Sequence, residues 1–158
     1  MNMKKFSWLL VAVAAAAVFI GMNLNSLEAS QAKEGWLLDF EEAQAKAKAD
    51  RKIILLEFHG SDWCPPCIRL NNEVLSKPEF KEFAEKNLVL VDLDFPRQTE
   101  LSEEQSAHNH ALAQRFGVQY FPTVVLVTPE GDVLDHNVGF PQGGLEGFIE
   151  FIQAQIDG

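Results

Sequence analysis

Apolar and polar positions change period several times along the chain, and each change marks an element. DFEEAQAKAKAD, residues 39–50, is rich in Ala, Glu and Lys behind a capping residue, Asp39, which predicts a surface helix. IILLEF, residues 53–58, is an apolar run broken only by Glu57, the pattern of a strand buried on both faces. CIRLNNEVLSKPEFKEFAEKN, residues 67–87, returns to helical spacing through Ile68, Leu70, Val74, Leu75, Phe80, Phe83 and Ala84. Pro78 must break or kink that helix, and Ser76 is expected to cap its second part. LVLVDLDF, residues 88–95, reads as a second strand. SEEQSAHNHALAQRFG, residues 102–117, reads as a helix with an S-x-x-Q capping box at Ser102 and Gln105 and a stop at Gly117.

TVVLVT, residues 123–128, predicts a third strand; PEGD turns the chain and VLDHNVG returns it, making a hairpin. The stripe of Leu145, Phe148, Ile149, Ile152 and Ile156 predicts a closing helix over residues 143–156. Strand–helix–strand units imply parallel pairs, and the hairpin adds an antiparallel edge. The expected architecture is α/β: a mixed sheet of about four strands with helices on both faces.

The first 30 residues fit neither period. Lys4 and Lys5 precede an uncharged run from Phe6 to Leu27, whose strongly apolar part, Leu9 to Met22, is short for a membrane span. Residues 1–30 are therefore expected to be a signal peptide or an N-terminal membrane anchor plus linker, ahead of one domain over 31–158. Cleavage is favoured over anchoring, although Leu27 and Glu28 stand where an A-x-A site wants small residues. No cysteine follows the run to accept a lipid. The implied location is exported, in the periplasm or cell envelope. A net charge of −10 with no basic run argues against a nucleic-acid partner.

Both cysteines of the chain fall in GSDWCPPCIRL, residues 60–70, where the first strand gives way to a helix. Positions i and i+3 on a helix lie about 5–6 Å apart, within reach of a disulfide after small adjustment. So short a loop does little for stability, which makes a structural staple a poor explanation. At a helix start Cys64 is expected to be the thiolate that attacks, and Cys67 the shielded thiol that resolves. Pro65 and Pro66 suit the first turn, and because neither has an N–H, only the Cys67 N–H is left near the Cys64 sulfur. Metal binding is the other reading of C-x-x-C. Zinc wants a second pair that is absent from the sequence, copper(I) remains open, and His108 and His110, two apart, face different sides of a helix.

WCPPC at residues 63–67, Phe121-Pro122-Thr123 directly before a strand, and the hairpin with Gly131 and Gly139 followed by a last helix come in order. On these features residues 36–157 resemble the thioredoxin superfamily, and the segments GSDWC (60–64) and DFPR (94–97) resemble an exported bacterial branch of it. The resemblance implies a thioredoxin fold and a thiol–disulfide oxidoreductase that reduces a disulfide in a partner protein. It implies Cys64 as nucleophile, Cys67 as resolving cysteine, Pro122 as the cis-proline, and Phe121, Trp63, Pro65 and Pro66 on the substrate-facing surface. Glu57 matches a buried acid thought to help deprotonate Cys67, with Asp62 as its rival or as a solvated loop residue or cap. No cofactor beyond the Cys64–Cys67 disulfide is expected; electrons would come from another dithiol protein, a membrane-embedded one included. His59 and the Pro-Pro spacer depart from the family's usual pattern, and either a disulfide donor or isomerase, or a copper-binding or tethering module, is the alternative.

Overall fold

The structure, a computed structural model, describes residues 32–158, so the expected signal peptide or anchor lies outside the described residues. The elements run β1 (Trp36–Leu37), α1 (Phe40–Asp50), β2 (Ile53–His59), α2 (Pro65–Leu70) continuing as a π-helical turn (Asn71–Leu75), α3 (Pro78–Asn87), β3 (Leu88–Asp94), α4 (Glu103–Arg115), β4 (Thr123–Val127), β5 (Val133–Val138) and α5 (Gly144–Asp157). Among the described residues, no helix is long and apolar enough to cross a membrane.

Local chemistry explains most boundaries. Asp39 accepts from the Glu42 N–H at 2.7 Å and caps α1 as expected. Ser102 caps α4 through the Gln105 N–H, but the reciprocal half of the capping box is not made. The Gln105 side chain instead reaches the Leu38 carbonyl and Asn109. Gly117, at φ 66°, ends α4: its N–H and that of Val118 close onto Gln114 and Ala113, the bond pattern of a left-handed helix stop. Ser76 does not cap α3. Lys77 takes that position with Pro78 at the first helical site, while the Ser76 hydroxyl donates back to Asn72.

The five-stranded sheet has the order β1-β3-β2-β4-β5. β1 was not foreseen, since two residues carry no period; Trp36 pairs with Leu90 and is buried. β2 and β3 are parallel, as a strand–helix–strand unit predicts. The second such unit departs from that expectation: β4 lies antiparallel to β2. Asp94 pairs with His59 and Thr123 with Phe58, so the connection 95–122 leaves and re-enters at the same end of the central strands.

That end is where the chemistry collects. Ile54, Leu56 and Phe58 point to the face covered by α1 and α4, with Phe40, Ala43, Ala47 and Leu112 packed on them. Leu55, Val124 and Leu126 point to the other face, under Leu70, Val74, Phe80, Phe148 and Ile152 from α2, its π-helical turn, α3 and α5. By the period of two, Glu57 and His59 share this second face with Leu55, beneath α2.

Candidate active site

Cys64 and Cys67 form a disulfide with Cα atoms 5.3 Å apart. Cys64 is the N-cap of α2, with extended backbone, and Pro65 and Pro66 fill the first turn without leaving amides unpaired. Both prolines are exposed, whereas both cysteines are buried, so the contrast expected between an outer and a shielded cysteine is small. The Cys67 N–H, the donor left near the Cys64 sulfur by the prolines, bonds instead to the Cys64 carbonyl at 3.0 Å.

An aromatic wall stands beside the pair. The Trp63 indole donates to the Phe95 carbonyl at 2.7 Å, and its ring meets that of Phe121 edge-on at 6.0 Å. Phe95 stacks on Phe121 at 4.9 Å. The Phe121–Pro122 peptide bond is cis, and these rings tie its loop to the cysteine loop. The Arg97 guanidinium lies 3.7 Å over the Trp63 ring. Gly60 allows this packing, because a Cβ there would fall 2.5 Å from the indole.

Asp62 is a solvent-accessible loop residue, as one reading expected, and does not cap the helix, whose N-cap is Cys64. Its carboxylate accepts the N–H groups of Arg97, Gln98 and Thr99, which hold its pKa below the usual carboxylate range. It therefore straps the 97–99 loop to the active-site loop. Between Trp63, Phe95, Arg97, Leu101 and His110 this leaves a groove of about 490 Å³. His110 packs edge-on against Phe95, while His108 lies elsewhere, half-buried.

Beneath the pair lies a buried ionic cluster. Glu57 is fully buried and His59 and Asp92 nearly so. Parallel register sets Glu57 beside Asp92 and His59 beside Asp94 on the face of α2. Lys33, just before β1, reaches in: its Nζ lies 2.6 Å from Glu57 Oε2, 3.3 Å from Asp92 Oδ1 and 3.4 Å from His59 Nε2. Glu57, His59 and Asp92 offer ligand atoms within 4.8 Å of one another, and the positive charge they surround is this ammonium. Burial alone would lower the Lys33 and His59 pKa values, but neighbouring carboxylates outweigh it and both are raised. Burial alone would raise Asp92; the His59 hydrogen bond and the Lys33 charge outweigh it, and Asp92 is lowered.

A cavity of about 140 Å³ connects this cluster with the cysteines, lined by Lys33, His59, Ser61, Cys67, Ile68 and Asn71. Glu57 does not border it. Lys33 and Asp92 were not singled out from the sequence, and Asp94, Phe95 and Arg97 stood out only as part of the DFPR resemblance, with no role attached. The alternation in LEFH and LVDLD carried a signal for the two aspartates, whereas Lys33 sits in a stretch with no period at all.

A family model described as thioredoxin-like matches residues 35–129. Disulfide bond reductase DsbH of Chlamydia pneumoniae is 34% identical over 136 residues, 86% of this chain and 81% of that protein. Thioredoxin-related protein DsbJ of Chlamydia pneumoniae is 30% identical over 119 residues, which are 73% of this chain and 34% of DsbJ. Among solved structures, a DsbH oxidoreductase superposes with a TM-score of 0.72 at 34% identity, covering 83% of this chain and 88% of that one. A disulphide isomerase from Xylella fastidiosa Temecula1 gives a TM-score of 0.55 at 25% identity, covering 75% and 88%.

Proposed function

The chain belongs to the thioredoxin-like family and is a thiol–disulfide oxidoreductase that exchanges disulfides with partners, and we propose that it works as an exported reductase of protein disulfides. The observation that carries this reading is the Cys64–Cys67 pair at the start of α2, joined through Trp63 and Phe121 to a cis-proline loop. The name of the 34% identical relative, a disulfide bond reductase, supports the direction. Export rests on the leader-like residues 1–30, which precede the domain over 31–158.

In this reading the Cys64 thiolate attacks one sulfur of a partner disulfide and expels the other as a thiolate. Cys67 then attacks the Cys64 sulfur of the mixed disulfide, which releases reduced partner and leaves Cys64–Cys67 oxidised. Two electrons pass to the partner in each cycle. They are restored by a dithiol protein, and no bound cofactor takes part. Pro122 and Phe121 present backbone to an extended substrate, and Trp63, Pro65 and Pro66 form the surface it crosses. Glu57 contributes charge to the cluster under Cys67.

Equilibration of the Cys64–Cys67 pair in dithiothreitol or glutathione buffers tests the direction. A potential near the thioredoxin value of about −270 mV supports a reductase, whereas one near about −120 mV makes the protein a disulfide donor. Stoichiometric copper(I) uptake without insulin reduction would favour a binding module instead.

A further inference from the structure

Resolution of a mixed disulfide requires the Cys67 thiol to lose a proton inside the protein, and reduction of the oxidised pair requires the Cys67 thiolate to regain one. Cys67 is 1% exposed, so the proton must travel by a defined route. The cavity bordering Cys67 offers such a route. Its volume of about 140 Å³ has room for bridging water at about 30 Å³ each. The titratable side chains that line it besides Cys67 are His59 and Lys33. Lys33 is held charged by Glu57 and Asp92 and has no lone pair to offer.

His59 has one. Its Nε2 lies 2.5 Å from Asp92 Oδ1, and the nearby Lys33 ammonium carries donors only, so the Nε2 hydrogen goes to Asp92. This fixes the neutral tautomer with its lone pair on Nδ1, as a carboxylate does for the histidine of a catalytic triad. Nδ1 lies 3.8 Å from Asp94 Oδ1, beyond hydrogen-bond length but near enough to favour a proton arriving there. Glu57, by contrast, is outside the cavity with Oε2 bound to Lys33.

We propose that His59 is the proton-transfer residue for Cys67, with Asp92 as its positioning residue. This rests on the oxidoreductase reading. When the mixed disulfide resolves, the Cys67 proton passes through cavity water to His59 Nδ1. The Cys67 sulfur bonds to the Cys64 sulfur, the bond from Cys64 to the partner breaks, and the partner leaves as a thiolate that protonates from solvent. On re-reduction a donor thiolate attacks Cys64, Cys67 leaves as thiolate, and imidazolium His59 returns its proton. The charged groups facing His59 are Lys33 from the segment before β1, Glu57 on its own strand, and Asp92 and Asp94 on β3. Their balance raises the His59 pKa above its ordinary 6.5, a setting suited to both directions of transfer near neutral pH.

The reduced full-length protein, mixed with the chromogenic aryl disulfide DTNB in a stopped-flow instrument, separates the steps. Attack by Cys64 releases a first coloured thiolate in a bimolecular phase, and resolution by Cys67 releases a second in a concentration-independent phase. In His59→Gln the second phase is expected to slow by about 100-fold and to lose its pH inflection, with the first phase unchanged. In Asp92→Asn the inflection moves to lower pH, because the group that raises the His59 pKa is gone; this variant carries the test if His59→Gln fails to fold. A second phase with wild-type rate and pH profile in His59→Gln, or an inflection unmoved in Asp92→Asn, overturns the proposal. A wild-type protein that releases only one thiolate overturns the oxidoreductase reading itself.

Discussion

Replacing Lys33 with methionine tests whether the buried cluster is held together by that ammonium. Met keeps the length and apolar body of the side chain, including packing on Trp36, whose ring centroid is 4.9 Å from Nζ. What disappears is the cation 2.6 Å from Glu57 and 3.3 Å from Asp92, two carboxylates that are 0% and 4% exposed. Removing one member of a buried pair leaves an uncompensated charge and costs about 3–5 kcal/mol. For a domain of this size that corresponds to roughly 12–20 °C in Tm, at about 4 °C per kcal/mol. The loss depends on pH with a definite sign. Protonation removes an uncompensated carboxylate charge, so the destabilisation is present while that charge exists and fades as pH falls. Urea unfolding of the oxidised protein at pH 7.5 and pH 4.5 is the assay. Lys33→Met should be much the weaker protein at pH 7.5 and nearly level with wild type at pH 4.5. A loss below about 1 kcal/mol at pH 7.5, or an equal loss at both pH values, would refute the reasoning.

Other outcomes follow from the same geometry. Cys67→Ser should accumulate a mixed disulfide through Cys64, visible by non-reducing mass analysis, whereas Cys64→Ser should trap nothing; equal trapping by both would reverse the assigned roles. Gly60→Ala forces a Cβ to within 2.5 Å of the Trp63 indole and should displace it from the Phe95 carbonyl. The expected loss is about 1–3 kcal/mol with an altered near-ultraviolet dichroism spectrum, and an unchanged spectrum would count against the packing described. In the wild-type protein, lowered Asp92 contributes stability above its ordinary 3.8, lost as pH falls through the folded value. Raised His59 contributes below its ordinary 6.5, lost as pH rises through the folded value. Unfolding free energies should therefore decline on both sides of mildly acidic pH, with the acid limb shallower in Asp92→Asn and the alkaline limb shallower in His59→Gln.

Local signals in the chain were strong where one element decides its own shape. Asp39, Ser102 and Gly117 mark helix ends through bonds within a few residues, and the apolar runs 53–58 and 123–128 have no other use than a buried strand. Failures occurred where a distant partner decides. Gln105 completes a capping box in pattern but bonds to Leu38 and Asn109, since α4 docks beside those groups. Asp62 reads as a solvated turn residue, and only the fold shows that the 97–99 loop brings it three amides. The orientation of β4 depends on where the connection 95–122 returns, which no strand–helix–strand pattern records.

By itself the sequence determined the redox pair and its setting. Cys64 and Cys67 three apart, with Pro65 and Pro66 between them, place two sulfurs at a helix start through spacing and backbone restriction alone. It also determined which face of β2 carries Glu57 and His59, because a strand's period is two. The tertiary structure decided what those two residues do. Lys33, Asp92 and Asp94 come from 26 residues before His59 and from 33 and 35 after it, and only the parallel register of β2 with β3 sets the aspartates beside Glu57 and His59. Coulomb interactions and hydrogen bonds act through space, so the charge state of the ground beneath Cys67 belongs to the fold.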